Sequence, residues 1–329
     1  MLRKLLYHRG LDDHVGTYVT DYLQAAVCFC FASALMWKSV RSPRATVTRT
    51  THAVLLLLGT IGVVSFLGGL THQFLQTVEP YDTWRDNWTW LIVWRVGTAI
   101  SSISGVAFLM LAQQLLAQEN VLKPRRTVVL VYYTIVGALV VTIVVQSFYM
   151  FSHQTDPWSV KFALCCIFFT ALVDWVASMV VAVKRLGRTR SPKETDSSAN
   201  LAKYPENGEM NKDVTLLDEE ACSAKDRLDR RFRWDILLHA LAPFVFILGG
   251  LLQFLLGRTC ADHDDAFGHG GCPLPNYFNH NALMHTVHIV SVAGFYLAEL
   301  LGIRHREFMI RASHTHGPIH MSIDPGLGT

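Results

Sequence analysis

Along this 329-residue chain, long runs of Val, Leu, Ile, Phe and Ala alternate with short polar segments, and seven of the runs are long enough to cross a bilayer. A hydrocarbon core of about 30 Å takes roughly 20 residues of helix. The runs that qualify are 17–37, 52–76, 90–117, 127–151, 159–183, 235–256 and 280–302. In lipid their backbone polar groups must bond within the segment, which selects helix, and the scattered glycines suit close helix packing. The pattern predicts an all-α integral membrane protein, a seven-transmembrane helix bundle spanning 17–302. Residues 1–16 hold neither the long apolar run nor the small-residue cleavage site of a signal peptide, so the first span is expected to act as the targeting signal.

Lys and Arg set the orientation. Loops one, three and five and the tail carry 22 of them, and the opposite side carries 6, with Arg95 left inside the third span. The positive-inside rule then puts the N-terminus outside and the C-terminus in the cytoplasm. Residues 184–234 form a large cytoplasmic loop, expected to be mostly disordered, with a short charged helix from Leu216 to Arg233. Residues 303–329 form a cytoplasmic tail whose His-rich stretch RASHTHGPIHM is expected to be a disordered end. The expected location is a plasma membrane or endomembrane. Two features agree with the orientation. Asn87-Trp88-Thr89 is a glycosylation sequon in the second loop, and Cys260 and Cys272 flank an outer loop where an oxidising compartment allows a disulfide. Cys28 and Cys30 are expected to be apolar packing residues.

Composition supports the membrane reading, with 51% hydrophobic and only 17% charged residues, against roughly 25% charged in soluble domains. A net charge of +3, confined to loops, excludes nucleic acid as a partner. Membrane lipids are the expected surroundings, and a lipid or other small molecule the expected ligand.

Ionisable residues inside spans are functional-site hypotheses. Counted from the span ends, Asp21, His72, Arg95 and His285 all lie about 6–8 Å below the outer surface, at 1.5 Å of rise per residue. Gln146, Gln253 and His288 fall at or just below that level, and His153 and His280 at the rim. Asp174 and Glu299 are exceptions in an otherwise apolar inner half. Imidazoles and a carboxylate in one layer can hold Zn²⁺ through three ligands, and a zinc-bound water can attack an amide or ester carbonyl. An ion pair between Asp21 and Arg95, tying the first span to the third, is equally open.

The seventh span begins Asn279-His280-Asn281-Ala282-Leu283-Met284-His285-Thr286-Val287-His288. It resembles the last helix of the superfamily of alkaline ceramidases and progestin and adipoQ receptors, seven-helix membrane hydrolases. In that family a His-x-x-x-His pair on helix 7, a His late in helix 2 and an Asp near the start of helix 3 surround zinc, with a Ser four residues before the helix-2 His. The resemblance implies zinc at His72 and His285, and the i+3 spacing, which puts His288 on the same helix face as His285, makes His288 the expected third ligand. Asp86 (or Asp82) stands for the helix-3 Asp, or Arg95 marks a changed site, and Ser65 lies one turn deeper than the family Ser. Asn281 replaces the first helix-7 His and Gly68 replaces the Ser. The leading expectation is therefore a zinc-dependent lipid amidase or esterase, with Asp21, Ser65, Arg95 and Asp86 as further catalytic candidates. The alternatives are a receptor or ligand-binding bundle without metal, a haem-binding electron carrier, and a transporter using Asp21, His72 and Asp174 as a relay.

Overall fold

The computed structural model describes residues 15–75, 88–119, 121, 158–190, 234–256, 274, 278 and 280–315. Among these, six helices are long and apolar enough to cross a membrane, and there is no strand. They are α1 (Val15–Arg41), α2 (Arg49–Leu70, prolonged by a π turn, Thr71–Leu75), α3 (Trp88–Gln118), α4 (Trp158–Arg190), α5 (Trp234–Leu256) and α6 (His280–Thr315). They answer to the first, second, third, fifth, sixth and seventh expected spans. The expected span 127–151 and most of the 184–234 loop lie outside the described residues, as do Asp86, Asn87, Cys260 and Cys272. α6 runs past the expected end at Gly302 as far as Thr315, so the first part of the tail is helix rather than disordered chain.

Each element starts where its sequence allows. Arg44–Thr46 forms a 3-10 turn after Pro43, and the Thr48 N–H that opens α2 donates to Thr51 Oγ1 at 3.2 Å. The same Thr51 hydroxyl donates to Glu299 Oε1 on α6 at 2.6 Å, so one side chain both starts a helix and ties it to a neighbour. α1 packs on α2, α2 on α3, α3 on α4 and α6 on α1. α5 closes the ring between α4 and α6. Trp175 meets Phe244 with ring centroids 5.6 Å apart, and Ser291 Oγ donates to the Ala242 carbonyl at 2.7 Å.

Glycine permits the closest approaches. A Cβ on Gly69 would sit 2.7 Å from the Tyr22 ring, and one on Gly62 2.9 Å from the Phe29 ring. These two glycines, seven residues apart, let α1 lie directly against α2. Phe108, Phe246 and Phe295 form the centre of the core, with Phe246 packed on Phe108 at 5.1 Å and on Phe168 at 6.1 Å, and Phe295 on Phe108 at 5.8 Å.

The polarity of the bundle is turned inside out relative to a soluble one. Val40 is 79% exposed and Phe254 68%, while Asp21, Asp174 and Glu299 are each 1% exposed. Water cannot surround such a surface without penalty, whereas lipid can, and this is the arrangement of a multi-pass membrane bundle. Cys28 is buried as expected, but Cys30 faces outward.

α3 and α4 run parallel. Glu119, at the end of α3, pairs with Arg185 near the end of α4 at 2.5 Å, and Gly105 of α3 faces Thr170 of α4. The chain therefore leaves α3 at one end of the bundle and enters α4 at the other.

Candidate functional site

Three helix ends meet at one end of the ring: the start of α1, the end of α2 and the start of α6. α1 supplies Asp21 and Gln24, spaced i and i+3 and so on one face. Together they grip one imidazole. His285 Nε2 is 3.0 Å from Asp21 Oδ1, and His285 Nδ1 is 2.8 Å from Gln24 Oε1. With both nitrogens bonded, the ring is fixed in orientation.

The second carboxylate oxygen faces α2. His72 Nε2 is 4.0 Å from Asp21 Oδ2, beyond a direct hydrogen bond, and Oδ2 makes no hydrogen bond among the described residues. His72 sits in the π turn that prolongs α2, a deviation that often marks functional positions. Nearby, the Tyr22 hydroxyl donates to Gln73 Oε1 at 2.8 Å, pinning this turn to α1. Gly68 lies against the carboxylate. A Cβ there would be 3.2 and 3.3 Å from the two Asp21 oxygens. Asp21, reaching across from α1, thus fills the space beside Gly68.

His288 goes elsewhere. Its ring stacks on Phe246 of α5, with centroids 4.2 Å apart and planes 7° from parallel, and Nε2 is 3.1 Å from the Phe246 carbonyl oxygen. Gly249 makes this possible, because a Cβ there would come within 2.7 Å of the ring. The expected trio of ligands is therefore split, with His72 and His285 at the carboxylate and His288 bonded to α5. Among the described residues, no three His, Cys, Asp or Glu side chains are arranged to hold a metal ion.

Ser65 is buried and borders a cavity of about 440 Å³ that also reaches Asp21, His72, His285 and His288. Its surface is mainly apolar, contributed by residues such as Ile61, Val64, Phe168 and Phe246, and its polar end is the Asp21 cluster. Gln253 donates to Asn281 Oδ1 at 2.7 Å along the same wall. Arg95 lies on α3, but its side chain falls outside the described residues. Among the described residues, Asp21 is paired with His285. Gln24 was not foreseen, although a Gln three residues after Asp21 in an apolar span is a signal of a shared polar face.

The model of a family of unknown function, DUF6962, matches residues 16–183. The chain belongs to this family. The match takes in Asp21, Ser65 and His72 and ends before His285 and His288, so in this DUF6962 chain the site joins residues inside the matched region to others beyond it. No curated protein and no solved structure matches the chain.

Proposed function

We propose that this protein is a seven-span membrane protein that binds a small amphipathic or lipid-like molecule in the cavity between its helices, with the His72–Asp21–His285 cluster recognising the polar end of the ligand. The observation that carries this reading is the cavity. Its volume of about 440 Å³ falls within the roughly 300–1,000 Å³ of ligand pockets, which are likewise mainly apolar with a few convergent polar groups. Asp21 Oδ2, buried and without a hydrogen bond among the described residues, is the acceptor that a ligand donor would meet.

The parallel run of α3 and α4 supports the seven-span reading, in which the apolar run 127–151 is the further span. Orientation follows from charge. Lys38, Arg41, Arg44, Arg49, Lys184, Arg185 and Arg311 all belong to the end opposite the cavity, which supports a cytoplasmic placing of that end, with the pocket toward the extracytoplasmic leaflet.

Native mass spectrometry of protein released from micelles tests the binding. The expected result is a bound species of defined mass that is lost in Asp21→Asn and in the cavity-filling Ser101→Phe. A wild-type protein with no bound species, or the same species retained in both variants, counts against a ligand pocket here.

The zinc-dependent amidase or esterase is the second reading, and the flanking of one carboxylate by two imidazoles favours it. When bound, zinc would supply an activated water. The donors as arranged do not fit it well, because His285 and His288 each have Nε2 committed to a protein oxygen. Zinc at near one equivalent in the purified protein, lost in His72→Ala, would reverse this ranking.

A further inference from the structure

The end of the bundle opposite the pocket holds a second polar compartment. Ser178 of α4, Asp235 and His239 of α5, and Glu299 of α6 line a small chamber of about 20 Å³. A space above roughly 10–15 Å³ admits one water. The groups around it are unevenly matched. Glu299 is held by Arg306, Nη2 to Oε1 at 2.6 Å, and by Thr51. Arg306 also donates from Nε to the Thr46 carbonyl at 2.7 Å, and Arg185 is held by Glu119 from the end of α3. Both cations are thus committed. Asp235 accepts only the Ile236 N–H among the hydrogen bonds shown, at 2.7 Å. His239 Nε2 is 4.0 Å from Glu299 Oε2.

Two of the lining side chains point to an occupant. Ser178 is 1% exposed and His239 6%, yet among the described residues Ser178 Oγ and His239 Nδ1 make no hydrogen bond. Buried polar atoms without partners call for a water or an ion. One helical turn deeper on the same face of α4 lies Asp174, 1% exposed, with both carboxylate oxygens also unbonded among the described residues. Among the described residues it has no ionic partner on α3, α5 or α6. A charged carboxylate in that position would be very unfavourable, and a proton removes the charge. Beyond Asp174, toward the pocket, stand Phe168 and Phe246 in the aromatic core.

We propose that Asp174 is a proton-binding carboxyl, loaded from the basic end of the bundle through the hydrated chamber walled by Ser178, Asp235, His239 and Glu299. One water bridges Ser178 Oγ and His239 Nδ1, and the proton that reaches Asp174 converts a carboxylate to a neutral acid. Arg185 and Arg306, whose side chains are 17% and 25% exposed, stand at the mouth. The aromatic core ends the path below the pocket, so the site is a half-path open to one face. It does not depend on what the pocket holds.

Dicyclohexylcarbodiimide, which enters lipid and takes up a protonated carboxyl across one C=N bond, the O-acylisourea then rearranging to a stable N-acylurea, tests this on the full chain. Sealed membrane vesicles are prepared with pH set independently on the two faces, the face bearing Lys38 and Arg311 being identified by protease access. The adduct is located by mass spectrometry. The expected result is an adduct at Asp174 that falls several-fold as pH on the basic face rises from 6 to 9, is indifferent to pH on the other face, and is absent in Asp174→Asn. Filling the chamber with His239→Leu, or more gently removing its donor with Ser178→Ala, should weaken the response to the basic face while Asp174 remains in place. An adduct missing from folded wild-type protein, independent of pH, or governed by the opposite face overturns the proposal.

Discussion

Removing the Asp21 carboxylate should uncouple α1 from α6, and the size of the effect follows from the contact. Asp21 is 1% exposed and holds His285 Nε2 at 3.0 Å. A hydrogen bond to a charged group contributes about 1.5–3 kcal/mol in proteins, but pairs inside membranes average nearer 0.6 and reach about 1.7, because the unfolded chain in lipid finds other partners. Burial and the second grip by Gln24 place this pair at the upper end, about 1–2 kcal/mol of coupling. Asp21→Asn keeps the shape and a neutral acceptor, so it should lose roughly half of that. Asp21→Ala leaves the imidazole N–H without a partner and should lose about 2–3 kcal/mol. The assay is a double-mutant cycle of Asp21→Ala and His285→Ala, with unfolding in dodecyl sulfate mixed micelles followed by circular dichroism. If the two changes add to within about 0.3–0.5 kcal/mol, the signature of independent sites, the contact does not join these helices and the reasoning is refuted.

Other consequences are as specific. Gly69→Val pushes a side chain into the Tyr22 ring, where even a Cβ would lie at 2.7 Å. Overpacking of this kind removes about 1–3 kcal/mol, and Tyr22→Ala should restore part of it in the same micelle titration. Val176 is 50% exposed on α4, so Val176→Arg places a charge in lipid and should raise the insertion free energy by about 2.5–3.5 kcal/mol. A helix-insertion reporter that shows no change would mean this face is not against lipid. Glu307 accepts Lys38 Nζ at 2.7 Å and Ser42 Oγ at 2.5 Å, so Ser42→Asp should set two carboxylates against each other. The expected loss is about 1 kcal/mol and shrinks as salt rises, and equal stability of the variant and wild type at low salt would argue against the clamp.

How much of this was legible in the chain depends on the kind of information. The hydropathy runs located α1, α2, α3, α4, α5 and α6, because a helix in lipid is selected by its own backbone requirements and needs no partner to be recognised. Depth was legible for the same reason. A fixed rise per residue placed Asp21, His72 and His285 in one layer, and the structure brings those three together. Direction around each helix axis was not legible. The order of helices in the ring turns Asp21 to His285 and Gly68, and that order is decided by which surfaces fit.

His288 shows the same limit. Its place at i+3 from His285 is a property of the sequence, and it predicted a shared metal. Gly249 on α5, far away along the chain, opens the space into which the ring stacks on Phe246, and only the packing of α5 beside α6 reveals it. The amino-acid sequence determined the solvent this protein is built for, the helices that cross it and the height of each polar group. The tertiary structure decided which polar groups touch, because side-chain contact between helices depends on their rotation and neighbours, and hydropathy carries neither.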